Sequence, residues 1–273
     1  MNKEPLKISE LEQTFLDQGK SIIIGVDECG CGALVHSVVA AAVALDYANL
    51  PSNIKDSKYF SSEAKREESC KEILSKAVSY NIFELSAQEL NDINDMDAAG
   101  YYIRYKAVEG LMWKLFSIRK VPNVILVDRF DLKEVAFDTQ PGSTYQISNN
   151  PDTLTTLTPG LTHMGIVDGD STVACIAAAS IVGKSHRDQL MLKLDKEYPE
   201  YNFKSNKGYG TADHIEGIKK YGITQYHRKH FGPCQDAFLR EIKKQEVTNK
   251  EEVTKQAQAS FVRAYNLLHK SGN

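Results

Sequence analysis

Hydrophobic positions along this chain follow two patterns: uninterrupted β-branched runs of strand length, and apolar residues that recur every three or four positions. The first run, SIIIGV at residues 21–26, reads as a strand buried on both faces, and Gly25, Gly30 and Gly32 let other groups approach its backbone. VHSVVAAAVAL, beginning at Val35, reads as a second strand, antiparallel to the first, whose alanines permit close layering. NIFELS at 81–86 and NVILVD at 123–128 read as two more, the latter entered through Pro122.

The helical period appears elsewhere. Ser61 or Ser62 can cap a helix that turns Ile73, Leu74 and Ala77 inward. Between Ser86 and about Ile118, Leu90, Ile93, Met96, Ile103, Val108, Leu111 and Leu115 recur at helical spacing, with a break expected at Gly100 or Gly110. Tyr101, Tyr102 and Tyr105 in that stretch read as core and surface residues. One helix is expected from Ser171 to about Tyr198, and another near the C-terminus, where Phe261, Ala264, Tyr265 and Leu268 form a face that packs on the body. Residues 129–159 lose period and gather Pro, Gly, Ser, Thr and Asn, as a flap or a small hairpin insertion using STYQIS would. The expected organisation is a lead-in at 1–20, a central α/β unit at 21–200 with a possible insertion at 129–160, and a C-terminal segment with a helical tail at 201–273.

At 273 residues and 42% hydrophobic content, the chain can bury a substantial core. Lys and Arg number 33 against 36 Asp and Glu, a net charge of −3, so a polyanionic partner would have to be held by a local patch. The odd count of five cysteines, none at the spacing of zinc knuckles, points to reduced thiols, and Cys29 and Cys31 read as small residues of a tight turn. MNKEPLKISELEQ lacks an apolar signal segment, and ALVHSVVAAAVAL is too short to span a bilayer. A soluble, cytoplasmic protein without a membrane partner is the expectation.

The candidate chemistry is acidic and sits where the apolar runs stop. Asp27 and Glu28 follow the first run, Asp128 ends NVILVD, and Asp170 closes GIVDGD before a helix. Carboxylates from separate strand ends suit a hard divalent cation. Adjacent strand residues face opposite sides, which makes Asp27 the better ligand of the first pair. Plain helix capping is the competing explanation for Asp170. Lys184 and Arg187 share a helix face, but an unbroken helix would hold Lys184 roughly 20 Å from Asp170, out of its reach. Residues 201–231 carry six Lys or Arg against two Asp or Glu, interleaved with aromatics, and could line a phosphate-backbone groove or be a solvated helix with its turns. His227 and His230 lack a third nitrogen or sulfur ligand nearby, which argues against a zinc site.

GVDECGCG, KDSK, ILVD, DGDSTVACIAAASIVGKSHRD and NKGYGTADHIEGIKKYGITQYHRKHFGP, in order over about residues 21–235, resemble the successive motifs of type 2 ribonuclease H, the bacterial ribonuclease HII family. The resemblance implies an α/β fold: a ribonuclease H-like mixed five-stranded sheet flanked by helices, with a helical C-terminal part, and a catalytic domain at 21–200. It implies that Asp27, Glu28, Asp128 and Asp170 are catalytic and hold two Mg²⁺ or Mn²⁺ ions, and that Tyr209 stacks beneath the sugar at a ribonucleotide junction. It likewise implies that Ser57 and Lys58 touch the nucleic-acid backbone, and that Gly30, Cys31 and Gly32 form the loop that reads the 2′-hydroxyl. The implied activity is endonucleolytic hydrolysis by a monomer, acting on RNA/DNA hybrid or ribonucleotide-containing duplex DNA and leaving 5′-phosphate and 3′-hydroxyl ends. Two departures stand out. Relatives carry Gly-Arg-Gly where this chain has Gly30, Cys31 and Gly32, so the backbone amides remain while the cationic side chain is gone. Arg129 and Phe130 follow Asp128 where glycine is usual. A non-cleaving hybrid-binding or regulatory protein on the same scaffold is the alternative.

Overall fold

Two of the β-branched runs, β1 (Ile23–Cys29) and β4 (Val124–Asp128), lie parallel and adjacent within a five-stranded sheet whose central strand is β1. The computed structural model describes residues 4–93, 95–129, 134–136, 146–148, 158 and 160–270, with most side chains beyond Lys250 not described. In chain order the sheet takes β2 (Val38–Ala44), β3 (Ser79–Leu85) and, after β4 and the short strands β5 (Glu134–Ala136) and β6 (Gln146–Ser148), β7 (Thr162–Ile166). Their spatial order is β3-β2-β1-β4-β7; β1 pairs antiparallel with β2, and β4 parallel with β1 and β7. The mixed sheet is the one expected, and β5 and β6 pair antiparallel with each other. Most of the remainder of 129–160 lies outside the described residues.

Strand alternation assigns the two faces. Ile24 and Val26 pack with Ala40, Ala42 and the apolar side of α4 (Met96–Ser117), while Ile23, Ala41 and Val43 pack against α6 (Ala174–Glu197). Small residues seat α6 unusually close. A Cβ on Gly25 would lie 2.1 Å from the Cys175 carbonyl, so only glycine permits this contact between strand and helix backbone.

Two helical expectations need correction. The zone from Ser86 is two helices, α3 (Ala87–Ile93) and α4, with the second newly capped at Asp95, and α4 runs unbroken through Gly100 and Gly110. As that cap, Asp95 accepts from the amides of Asp97 and Ala98. At Gly110 the missing side chain leaves room for Asn81, whose Nδ2 would stand 2.4 Å from a Cβ there. The helix expected from Ser171 is instead two pieces, α5 (Gly169–Thr172) and α6, separated by Val173 in extended conformation.

The remaining helices are α1 (Glu10–Asp17), α2 (Glu63–Lys76), α7 (Phe203–Asn206), α8 (Ala212–Tyr221) and α9 (Gly232–Lys270). Ser62 caps α2, and Ile73 is buried as expected. Leu34, Val35, Met191, Leu194, Tyr201, Phe203, Ile218 and Cys234 form a separate small core that fastens the C-terminal segment to the far end of α6. The face carrying Phe261, Ala264, Tyr265 and Leu268 lies outside the described side chains. Among the described residues, no helix is long and apolar enough to cross a membrane.

Candidate active site

The register brings the acids to one edge. Val26 pairs with Val127 in the parallel ladder, so one step further places Asp27 beside Asp128 at the carboxyl ends of β1 and β4. Asp128 pairs with Ile166 of β7, and the following turn into α5 returns Asp170, whose amide donates to Asp128 Oδ1 at 3.2 Å. Strand alternation sends Asp27 to the α6 face and Glu28 to the α4 face, and each meets a cation from its own helix. Arg104 Nε of α4 donates to Glu28 Oε2 at 2.5 Å, while Lys184 Nζ of α6 stands 4.0 Å from Asp27 Oδ2 and 3.9 Å from Asp170 Oδ2.

The expectation that Lys184 could not reach Asp170 is therefore overturned. Val173 interrupts the helix, so α5 is not the start of α6, and the lysine stem points back along its helix toward the N-terminus. Lys184 donates to Ser57 Oγ at 2.7 Å and Ser180 Oγ at 2.8 Å, and Lys58 Nζ donates to Asp170 Oδ2 at 2.9 Å. Asp170 is thus not a plain helix cap: Asp168 holds the N-cap position of α5 and makes no side-chain capping bond.

Burial is the main electrostatic fact of this edge. Asp27 is 5% exposed; desolvation pushes its carboxyl up to about 7, Lys184 pulling it down and Glu28 and Asp128 pushing it further up. Asp128 is raised chiefly by burial as well, with Asp170 and Glu28 adding repulsion against the backbone hydrogen bonds it accepts. Among the described residues, no group of three or more Asp, Glu, His or Cys side chains is set for a metal ion. The four carboxylates converge on one edge, but Asp170 and Glu28 turn to Lys58 and Arg104, so their oxygens do not form a closed shell.

Tyr209 and the glycine loop form the neighbouring wall. Tyr209 is 42% exposed and lies beneath Gly32, where a Cβ would be 3.9 Å from its ring. Arg187 stacks on the same ring, its guanidinium carbon 5.5 Å from the centroid, and donates to the Lys207 carbonyl at 2.7 Å. Gly30 has φ +85°, and a Cβ there would strike Arg187 Nε at 2.2 Å. Fully buried Arg228 donates to the carbonyls of Gly30 at 2.7 Å, Cys31 at 3.0 Å and His36 at 2.8 Å. A cleft of about 540 Å³ opens beside Tyr209, lined also by Glu63, Arg66, Lys184, Arg187, Asp188 and Lys207; it meets the acidic edge through Lys184, and none of the four acids lines it.

His227 is no metal ligand here. The Thr224 amide donates to its Nδ1 at 2.9 Å, which makes that nitrogen the acceptor and places its proton on Nε2, 3.2 Å from His214 Nε2. His214 Nδ1 then donates to the Tyr209 carbonyl at 2.9 Å. This neutral chain ties the tyrosine to the segment that carries Arg228.

A family model described as Ribonuclease HII matches residues 24–234. The chain belongs to the ribonuclease HII family. Ribonuclease HII of Clostridioides difficile (strain 630) is 39% identical over 224 residues, covering 82% of this chain and 75% of that one. Ribonuclease HII of Vibrio vulnificus (strain YJ016) is 36% identical over 228 residues, covering 84% and 94%. Among solved structures, ribonuclease H2 from Pyrococcus horikoshii OT3 matches with a TM-score of 0.57 at 21% identity, over 80% of this chain and 97% of that one. Bst-RNase HIII in complex with Mn²⁺ matches at 0.59 and 17% identity, over 81% and 70%. The fold is thus that of ribonuclease H, and the family makes this chain a ribonuclease H enzyme.

The ribonuclease HII motifs carried the acids, the loop and Tyr209, but not their supports. Arg104 hides in a tyrosine-rich helical stretch, where an arginine on a buried face was the available signal. Glu12, in the segment read as a mere lead-in, is fully buried and accepts from the first amides of α6, Ala174 at 3.2 Å and Cys175 at 3.0 Å. It supplies from α1 the cap that Val173 cannot. Its SELE capping box was legible; its distant target was not.

Proposed function

We propose that this ribonuclease H is a metal-dependent endonuclease acting on RNA in RNA/DNA hybrids or on ribonucleotides within duplex DNA. The observation that carries the reading is the convergence of Asp27, Glu28, Asp128 and Asp170 on one sheet edge, beside Lys184, which also lines the cleft of exposed Tyr209. The donor set fits a divalent cation: all four side chains offer carboxylate oxygens, and a bound cation would favour the ionised form of desolvated Asp27. Two Mg²⁺ or Mn²⁺ ions bound there would activate a water and stabilise the leaving 3′-oxygen, giving 5′-phosphate and 3′-hydroxyl products.

The protein's own groups do the rest. Lys58, held to Asp170 but largely exposed, can swing to a backbone phosphate, and the Ser57 hydroxyl fixes the neighbouring turn through Ser180 and Lys184. Tyr209 offers a ring face to the sugar at a ribonucleotide junction, while amides of Gly30, Cys31 and Gly32 approach its 2′-hydroxyl. Arg187 and Lys207 line the path of the phosphate backbone. Residues 21–200 then act as the catalytic unit, and the segment from 201 supplies the sugar-reading wall.

The test is cleavage of a hybrid and of a duplex holding one ribonucleotide, with Mg²⁺ or Mn²⁺, by the wild-type protein and Asp27→Asn. Asp27-dependent cuts with 5′-phosphate ends are expected; binding of both substrates without turnover would instead favour a non-cleaving binder.

A further inference from the structure

We infer that Lys184 is a built-in counter-charge of the carboxylate site: a positioning residue, anchored by two serines, that weakens the site's hold on divalent cations. The inference rests on reading the four carboxylates as a metal site.

Three observations carry it. First, the ammonium stands almost equidistant from Asp27 and Asp170, at 4.0 and 3.9 Å, which joins two acids delivered by different segments. Second, two of its three protons are committed to Ser57 Oγ and Ser180 Oγ at 2.7 and 2.8 Å, and these hydroxyls lie 3.2 Å from each other. The charge is therefore pinned beside the acids and is not free to follow a carboxylate or leave for solvent. Third, Lys58 makes the opposite choice on the same Asp170: its side chain is 66% exposed, against 26% for Lys184, and no serine restrains it. A mobile lysine can be displaced by an incoming cation, whereas a pinned one remains and repels it.

The consequence follows from Coulomb's law. A fixed positive charge within about 4 Å of two ligand oxygens keeps those acids together but opposes any cation that shares them, and partial burial leaves the repulsion poorly screened. Metal affinity is set lower than four carboxylates alone would give.

The experiment is Mn²⁺ titration of metal-stripped full-length protein, read by calorimetry and by thermal melting, for wild type, Lys184→Met, Lys184→Arg and Asp27→Asn. Lys184→Met should bind Mn²⁺ about tenfold more tightly than wild type and melt at lower temperature without metal, while Lys184→Arg stays near wild type. Affinity for Mn²⁺ in Lys184→Met that is unchanged, weaker, or tighter by less than about threefold overturns the inference. Should Lys184→Met fail to fold, Lys184→Gln, neutral but able to bond both serines, must meet the same threshold. Absence of Asp27-dependent Mn²⁺ binding in the wild type would defeat the metal reading itself, a result distinct from failure of the lysine variants alone.

Discussion

The acidic sheet edge and the wall that carries Tyr209 are built on opposite electrostatic plans. At the sheet edge, buried Asp27 and Asp170 and half-buried Glu28 and Asp128 gather and are held by cations from three directions: Arg104 on Glu28, Lys58 on Asp170, and Lys184 beside Asp27 and Asp170. On the other wall, Tyr209 and the glycine loop are held by donors to backbone carbonyls and by a neutral histidine pair. The first wall is under mutual repulsion that a cation relieves; the second is tied together by neutral and charge-assisted hydrogen bonds to backbone carbonyls. A site of this kind separates the part that changes charge on loading from the part that measures the sugar.

The sharpest way to break the contrast is to remove one member of each wall. Asp27→Asn should lower cleavage by about 10³-fold or more while leaving hybrid binding within a few-fold, measured by single-turnover kinetics and anisotropy. Arg228→Met should do the reverse in kind. Losing three donors to buried loop carbonyls should cost about 3 kcal/mol of unfolding free energy in urea. If Arg228→Met were as stable as wild type, the second wall would not depend on its buried guanidinium.

Acidity offers a second contrast, with the sign opposite on each side. Asp27 is raised from 3.8 to about 7, so between those values the folded state holds a proton that the unfolded state has lost, and this group makes stability fall as pH rises. His227 is lowered by burial from 6.5 to about 3, so in that window the unfolded state holds the extra proton and stability rises with pH. Each group contributes a slope of up to about 1.4 kcal/mol per pH unit. Between pH 4.5 and 6.5, unfolding free energy of metal-stripped Asp27→Asn should climb more steeply with pH than wild type, and that of His227→Gln should climb less or fall. Parallel curves for all three proteins would show that neither group is desolvated as the packing implies.

What was legible in the sequence divides along the same line. β-branched runs ending in Asp27, Asp128 and the GIVDGD turn located the acids, because strand burial and strand ends leave a local signature. Alternation foretold that Asp27 and Glu28 would point to opposite sides of the strand; which helix each meets was not legible. The supports were illegible because each joins residues far apart in the chain: Glu12 with Ala174, Glu28 with Arg104, Gly30 with Arg228. No period records such pairs. Lys184 was misjudged for a smaller reason: a single β-branched residue, Val173, breaks a stretch whose alanines promise one helix. Gly100 and Gly110 misled in the other direction, since tertiary packing outweighs a propensity cost of about 1 kcal/mol each.

A smaller effect sharpens the reading wall. Tyr209→Ala should reduce kcat/KM on the single-ribonucleotide duplex about tenfold, an amount typical of one lost stacking contact, while Tyr209→Phe keeps most of it. Equal losses for both variants would assign the role to the hydroxyl and not to the ring.

The smallest expected change tests the altered loop. Restoring a cation by Cys31→Arg looks favourable for a phosphate contact, yet the charged groups acting on Cys31 are Glu28, Arg104, Arg228 and Asp27: two acids, of which Glu28 is already bonded to Arg104, and two guanidiniums. A third guanidinium can avoid them only by extending into the cleft, where it meets nucleic acid but gains little from the protein. In an Asp27→Asn background, which prevents cutting, Cys31→Arg should tighten binding of the single-ribonucleotide duplex by about threefold at low salt, worth roughly 0.7 kcal/mol, with the gain fading as salt screens it. Weaker binding would mean that Arg104 and Arg228 already saturate this corner with positive charge, and that cysteine is retained there because a larger cation is repelled.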